Sequence, residues 1–158
     1  YFSLNLSLPE STVTKAPVRI KTIYEKPFKE GVTKIIGETG KFNDWGGEKN
    51  DLYTTRLKID GKRMPCAFAF KGKGQVGILT PKKMGKNGDQ IQRLFNSQAD
   101  IFLIQYWGNI DESVVELMKI CALHKSFQDQ KKIYFGIIDG IDTQRLINEY
   151  SKQFQELE

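Results

Sequence analysis

An acid and a lysine stand at the two ends of a predicted β-hairpin, where they could act together on a phosphoester. Asp51 opens the first predicted strand, Leu52–Ile59, and Lys71 follows the second, Arg63–Phe70. The Asp60-Gly61 dipeptide between the strands is a strong signal for a tight antiparallel turn. Asp51 and Lys71 are each ten residues from Gly61. An antiparallel hairpin therefore brings the two side chains to the same end of the sheet.

The register of the hairpin decides whether Asp51 and Lys71 share a face of the sheet. A two-residue turn pairs Asp51 with Phe70, whereas a three-residue turn or a bulge near Pro65 pairs it with Lys71. Paired residues project from the same face, so joint chemistry requires the second register. The structural alternative is that Asp51 is a loop acid and Lys71 an edge-strand lysine that discourages aggregation.

Two glycine-rich segments resemble nucleotide-binding loops in composition but lack their essential features. Residues 72–77 have the spacing GxGxxG, but residues 78–81 (Ile-Leu-Thr-Pro) follow instead of the helix N-terminus that would hold a pyrophosphate. Residues 37–41 lack both the four-residue spacing and the Ser or Thr of a P-loop. We reject a dinucleotide site in the first segment and interpret the second as the glycine-terminated end of a helix.

The positive charge of the chain is concentrated in its middle third. The net charge is +5, and between Thr54 and Asn87 the only acid is Asp60. The same stretch contains nine basic residues: Arg56, Lys58, Lys62, Arg63, Lys71, Lys73, Lys82, Lys83 and Lys86. A run of lysines is most often a solvated surface, but the near absence of acids favours a polyanionic partner.

The remaining reactive side chains are few. The two cysteines, Cys66 and Cys121, both lie in apolar runs, which predicts buried reduced thiols and a cytoplasmic protein. A single histidine, His124, excludes a His-rich zinc site and an HExxH motif. No apolar run approaches the ~20 residues of a membrane span. The alternating Phe2–Leu8 segment lacks the basic region of a signal peptide.

The pattern of apolar residues predicts an α/β fold with a mixed β-sheet flanked by helices. Alternating helices and strands in the second half imply parallel crossovers, and the hairpin adds an antiparallel pair. We expect residues 1–26 to form an extended arm or edge strands and residues 27–158 to form one soluble domain. Besides the hairpin, the predicted elements are a helix from Pro27 to Gly37, a short helix capped by Asp89, strand Ile101–Trp107, helix Glu112–Lys125, strand Lys132–Ile138 and a last helix capped by Asp142 or Thr143.

Residues 27–138 resemble the PD-(D/E)xK restriction-endonuclease-like nuclease superfamily. The resemblance rests on the Asn50-Asp51 strand opening, the strand end at residues 69–72 (Ala-Phe-Lys-Gly), and the following helix Gln90–Phe95 and strand Ala99–Ile104. It implies a restriction-endonuclease-like core with Mg²⁺ as cofactor and Mn²⁺ as an alternative. The implied activity is that of an endonuclease hydrolysing phosphodiester bonds of DNA in restriction, repair or defence.

The resemblance assigns a role to each candidate residue. Asp51 would bind the metal, and Lys71 would orient the attacking water beside the phosphoryl oxygens. The superfamily's second acid, two positions before the lysine, is replaced here by Ala69. Glu30 and Glu48 are the candidates for the missing metal ligand. The residues expected to bind DNA phosphates are Lys73, Lys82, Lys83 and Lys86.

Ala69 leaves open an alternative to catalysis. In that reading the chain is a catalytically degraded nuclease-fold module that binds nucleic acid or a partner protein without cutting. The expected partner is nucleic acid, DNA rather than RNA, with no membrane association. The N-terminal strands are compatible with a homodimer.

Overall fold

A five-stranded mixed β-sheet with helices on both faces forms the core of the chain. The computed structural model describes residues 2–3, 19–38 and 49–154. The mixed α/β fold expected from the sequence is confirmed. In chain order, the elements are β1 (Phe2–Ser3), α1 (Glu25–Ile36), β2 (Leu52–Ile59), β3 (Lys62–Lys71), α2 (Gln90–Phe95), β4 (Ile101–Tyr106), α3 (Glu112–Asp129), β5 (Tyr134–Ile138) and α4 (Gly140–Glu149).

The strand order is β1-β5-β4-β3-β2, and only the β2–β3 pair is antiparallel. The hairpin predicted around Asp60-Gly61 is confirmed, and of the two turn lengths considered the two-residue turn is observed, because Ile59 pairs with Lys62. Asp60 and Gly61 have φ angles of 51° and 77°, the left-handed conformation that such a turn requires. The prediction that the strand at Ile101 lies parallel to the second hairpin strand is also confirmed.

The register of the hairpin changes inside β2, between Thr54 and Leu57. On the turn side Leu57 faces Met64, whereas beyond the irregularity Leu52 faces Phe68. The extra residue therefore lies in the first strand of the hairpin, not in the second. The register of the two-residue turn therefore holds beside the turn, but at Asp51 neither of the two pairings considered from the sequence is observed.

One face of the sheet, the α1/α4 face, is covered by α1 and α4 and closed by aromatic side chains. Phe28 of α1 is fully buried, with ring centroids 5.3 Å from Phe154 and 6.0 Å from Phe70. Gly31 is essential to this closure, because a Cβ at this position would overlap the ring of Phe154. The segment after α4 therefore packs against α1 through the ring of Phe154.

The opposite face, the α2/α3 face, is covered by α2 and the inner side of α3. Phe95 of α2 stacks on Phe102 of β4, with ring centroids 4.3 Å apart. Met118 and Ala122 of α3 are fully buried in the same cluster. Trp107 packs at the edge of both clusters.

The helix boundaries correct two of the predictions. Helix α1 begins at Glu25, so Pro27 lies inside its first turn instead of opening it. Helix α4 begins at Gly140 and is capped by Asp139, whose side chain accepts a hydrogen bond from the backbone amide of Asp142 at 3.0 Å. The cap predicted at Asp142 or Thr143 is therefore wrong. Strand β5 ends at Ile138, which leaves Asp139 in the extended conformation that an N-cap needs.

Candidate functional site

Asp51 lies where the hairpin opens and bonds to the backbone of the partner strand. Its Oδ2 accepts a hydrogen bond from the Phe70 amide at 2.8 Å, and its own amide donates to the Phe68 carbonyl at 2.8 Å. The register of the neighbouring pair places Asp51 opposite Ala69, on the sheet face that Lys71 shares. The structure thus brings Asp51 close to the end of β3, and its carboxylate holds a backbone amide of that strand.

Of the two further metal-binding candidates, Glu30 and Glu48, only Glu30 is among the described residues. Glu30 lies half-buried on α1. Among the residues that the structure describes, no group of three His, Cys, Asp or Glu side chains could hold a metal ion. Binding of Mg²⁺ or Mn²⁺ and the catalytic role of Lys71 stay predictions.

Two of the four lysines expected to bind phosphate have partners within the protein. Lys83 Nζ donates to two backbone carbonyls of the 76–78 loop, each at 2.9 Å, and so supports that loop. Lys73 Nζ lies 3.8 Å from the centroid of the Tyr24 ring. Nucleic-acid binding stays a prediction for all four lysines, of which Lys73, Lys82 and Lys86 are exposed.

The two thiols lie on opposite faces of the sheet. Cys66 is fully buried in β3 on the α1/α4 face, and burial raises the pKa of its thiol well above the ordinary value. Cys121 is half-buried on α3, on the α2/α3 face, and burial raises the pKa of its thiol as well. Because the sheet separates them, they cannot approach the short Cβ–Cβ distance of a disulfide.

A groove of about 890 Å³ runs between α2 and the second half of α3. Its apolar side is formed by Phe95, Leu117 and Cys121. The Tyr53 hydroxyl donates to the backbone carbonyl of Gln98 at 2.9 Å and ties one end of the groove to β2. Four side-chain amides line this α2/α3 groove: Gln92, Asn96, Gln98 and Gln128.

Beside the groove, α3 presents three large apolar side chains to solvent. Ile120, Leu123 and Phe127 are 61%, 44% and 82% exposed. Their spacing of three and four residues places them on one side of the helix. Ile120 also lines the α2/α3 groove, so this α3 row and the groove form one continuous surface. The sequence analysis did not identify either feature.

A family model described as "ERp29, N-terminal domain" matches residues 28–106, half of the chain. The chain belongs to this family. The ERp29 N-terminal domain is thioredoxin-like and characteristic of proteins of the endoplasmic reticulum lumen. The match extends from α1 to the end of β4, so α3 and its row lie outside it. No curated protein and no solved structure matches the chain.

The family match overturns the resemblance to the PD-(D/E)xK superfamily, and with it the DNA endonuclease and its catalytically degraded variant. That resemblance depended on an acid and a lysine at the end of a hairpin. The bond between Asp51 and the Phe70 amide gives the acid a structural role that requires no metal.

The expectation of a cytoplasmic protein is also wrong, because the matched domain is characteristic of the endoplasmic reticulum lumen. The expectation relied on the cysteines being reduced. A fully buried thiol such as Cys66 is protected from oxidants by the core in any compartment, so its presence does not report on the compartment. No helix within the described ranges is long and apolar enough to cross a membrane.

Proposed function

We propose that this chain is a polypeptide-binding module that assists protein folding in the endoplasmic reticulum without thiol–disulfide exchange. Membership of the ERp29 N-terminal domain family supports the folding context. The observation that carries the proposal is the α3 row, Ile120, Leu123 and Phe127, which lies in solvent beside a groove.

The placement of the thiols supports a mechanism without redox chemistry. Exchange requires an accessible thiolate and, for release of the client, a second thiol that can reach the mixed disulfide. Cys66 is fully buried, and the pKa values of both thiols are raised by burial, which lowers the thiolate fraction at neutral pH. The sheet separates Cys66 from Cys121, so neither can resolve a disulfide formed by the other.

The α3 row supports binding of unfolded chains. Contiguous large apolar side chains at a protein surface usually mark a site of interaction with another molecule, because isolated exposed residues are common and patches are not. An unfolded polypeptide exposes apolar side chains that a folded protein buries. Contact between such side chains and the α3 row removes apolar area from water on both partners.

The experiment is to follow aggregation of a chemically unfolded test protein by light scattering after dilution into buffer containing this chain. We expect wild type to suppress scattering and the Leu123→Ser/Phe127→Ser variant to suppress it several-fold less. Val76→Ser is the matched control, because Val76 is 73% exposed in the loop after β3 and lies outside the α3 row. Wild type that leaves scattering unchanged would contradict the proposal.

The redox part of the proposal has its own measurement. In an insulin-reduction assay with dithiothreitol, we expect the chain to leave the rate of disulfide cleavage unchanged. Acceleration of insulin reduction by wild type, lost in Cys121→Ser, would show that the half-buried thiol takes part in exchange.

A further inference from the structure

We infer that the α2/α3 groove and the basic tip of the β2–β3 hairpin together bind an extended polypeptide segment with a large apolar side chain followed by acidic residues. This inference names the substrate class and rests on the proposed function. It combines two observations: a groove with an apolar side lined by amides, and two positive charges that face each other at the same end of the sheet, beside a turn that contains Asp60 and Lys62.

The groove offers the chemistry that an extended backbone requires. A side-chain amide has both donor and acceptor atoms, so it can bond either the N–H or the C=O of a peptide without selecting its sequence. The four amides of the groove surround an apolar surface formed by Phe95, Leu117 and Cys121. Ile120 extends that surface toward solvent, which gives a large apolar client side chain a place to bury.

The hairpin tip carries two positive charges that face each other. Lys58 pairs directly with Arg63 across the strands, and both side chains are exposed. Like charges in directly opposite positions destabilise a sheet. Within the described ranges, neither residue takes part in an ion pair. Acidic residues of a bound segment would compensate this repulsion.

Lys58 and Arg63 project from the same sheet face as the groove. Their neighbours Leu57 and Met64 pack into the core of the α1/α4 face. Because successive side chains of a strand alternate between faces, Lys58 and Arg63 point to the α2/α3 side. The apolar groove and the charged pair therefore share one side of the molecule.

The groove also ends close to this tip. The amide of Asp100, at the start of β4, donates to the carbonyl of Pro65 at 3.0 Å, and Asp100 forms a 2.7 Å ion pair with Lys131 at the groove. From Pro65 to Arg63 is two strand residues, about 7 Å. An extended client that leaves the groove beside Lys131 reaches the charged pair within about five residues.

The same observations favour a polypeptide over a nucleic acid. Single-stranded nucleic acids bind mainly by stacking bases on accessible aromatic rings along a basic groove. Within the groove, the ring of Phe95 is only 5% exposed and is closed to stacking, and the exposed ring of Phe127 lies outside the groove on the α3 row. The groove itself contains an acid, Asp129, whose carboxylate pairs with Lys125 at 3.3 Å. Its amides and apolar side suit a peptide backbone and side chain.

The test uses a fluorescein-labelled peptide of about twelve residues, with one Phe followed a few residues later by three Glu. Binding to the full chain is measured by fluorescence anisotropy, and a second peptide has Gln in place of each Glu. We expect Ile120→Asn to weaken both peptides by about tenfold. Lys58→Gln/Arg63→Gln should weaken only the Glu peptide, by several-fold, and abolish the salt dependence of its affinity.

Matched controls separate the site from general surface effects. Val76→Asn removes an exposed apolar side chain from the loop after β3, and Lys34→Gln removes an exposed lysine from α1, on the opposite face of the sheet. Both controls should bind the Glu peptide as wild type does. The free energy of unfolding of each variant is measured by urea denaturation. This measurement distinguishes weaker binding by a folded variant from unfolding of the variant.

Three results would overturn the inference: equal binding by Ile120→Asn and Val76→Asn, equal affinity of wild type for the two peptides, or displacement of the Glu peptide by a single-stranded oligonucleotide. If an oligonucleotide displaces the Glu peptide and the Lys58→Gln/Arg63→Gln variant also fails to bind the oligonucleotide, the surface is assigned to nucleic acid. Suppressed aggregation without peptide binding would contradict this inference alone. Peptide binding without suppressed aggregation would contradict the proposed function alone.

Discussion

The two faces of the sheet differ in how completely the helices that cover them bury their own apolar side chains. On the α1/α4 face, the buried aromatic rings of Phe28, Phe70 and Phe154 close the core, and the large apolar side chains exposed on α4 and at its C-cap are Ile141 and Tyr150, at 40% and 36%. On the α2/α3 face the core is equally well buried, but α3 carries further large apolar residues on its outer side, Ile120 and Phe127 among them. The first face uses its apolar residues for stability. The second has apolar residues that stability does not require.

This difference indicates where a partner would bind. The buried residues of α3, such as Met118 and Ala122, already supply its contacts with the sheet. Phe127 is 82% exposed, so its side chain contributes little to the folded state. A surface that is costly to expose and unnecessary for folding is consistent with a binding role. The predictions that follow test this contrast, from the largest expected effect on stability to the smallest.

The largest effect on stability is expected from removing an aromatic ring on the α1/α4 face. Phe28→Ala should lower the free energy of unfolding by about 3–5 kcal/mol, because Phe28 is fully buried between two other rings. The matched change Phe127→Ala should alter it by no more than about 0.5 kcal/mol. Both values come from urea denaturation followed by circular dichroism. Similar losses in the two variants would remove the contrast between the faces.

The tight packing of α1 against the end of the chain is tested by adding a single methyl group. A Cβ at Gly31 would overlap the ring of Phe154, so Gly31→Ala should cost about 1–3 kcal/mol through displacement of that ring. Gly74→Ala is the control, because no atom lies within 4 Å of a Cβ built there. A Gly31→Ala protein as stable as wild type would mean that Phe154 moves aside freely and that the closure is loose.

The pairing of β2 with β3 is stabilised by Asp51 at the open end of the hairpin. Asp51→Ala should lower the free energy of unfolding by about 1–3 kcal/mol, because the half-buried Phe70 amide loses its charged acceptor. Asp51→Asn keeps an acceptor oxygen and should lose less. Thermal unfolding with and without Mg²⁺ distinguishes the structural role from the metal-binding prediction. Stabilisation of wild type by Mg²⁺, absent from both variants, would support a metal at this position.

The smallest effect concerns a charge at the border of the α1/α4 face. Burial, then the charge of Asp139, raises the pKa of Asp142, and Arg145 opposes the shift. A carboxyl group whose pKa is higher in the folded state makes the protein less stable as pH rises from the ordinary pKa through the raised one. Asp142→Asn should therefore be slightly more stable than wild type at neutral pH and equally stable at acidic pH. Greater stability of wild type at neutral pH would show that the pairing of Asp142 with Arg145 dominates.

The sequence predicted the elements better than it predicted the register. The Asp60-Gly61 turn and the buried run at Ile101 identify the hairpin and the parallel strand, because turn conformation and apolar pattern are local properties. The irregularity in β2 is different. The residues around it contact the end of α1, where Glu38 Oε1 accepts from the Thr54 hydroxyl at 2.6 Å and lies 3.6 Å from Arg56 Nε. A pairing across 16 residues leaves no local signal at Thr54.

The same distinction between local features and register applies to the candidate residues. The proximity of Asp51 to the end of β3 was predictable, because it follows from the hairpin alone. Its use as a backbone acceptor was not, since that depends on a register one residue away from the Phe70 alternative and two residues away from the Lys71 alternative. The sequence predicted that the hairpin tip is basic, but only the register shows that two of its positive charges, Lys58 and Arg63, face each other directly across the strands.

By itself, the sequence determined the tight turn at Asp60-Gly61, the alternation of helices and strands, and the concentration of positive charge. These follow from local dihedral preferences and from composition. Only the tertiary structure decided which apolar residues of α3 remain in solvent and on which face each thiol lies. Apolar residues occur around most of the circumference of α3, from Val114 and Met118 to Ile120 and Phe127, so their spacing does not indicate a buried side. That choice is made by the sheet, which can cover only the side of the helix that faces it.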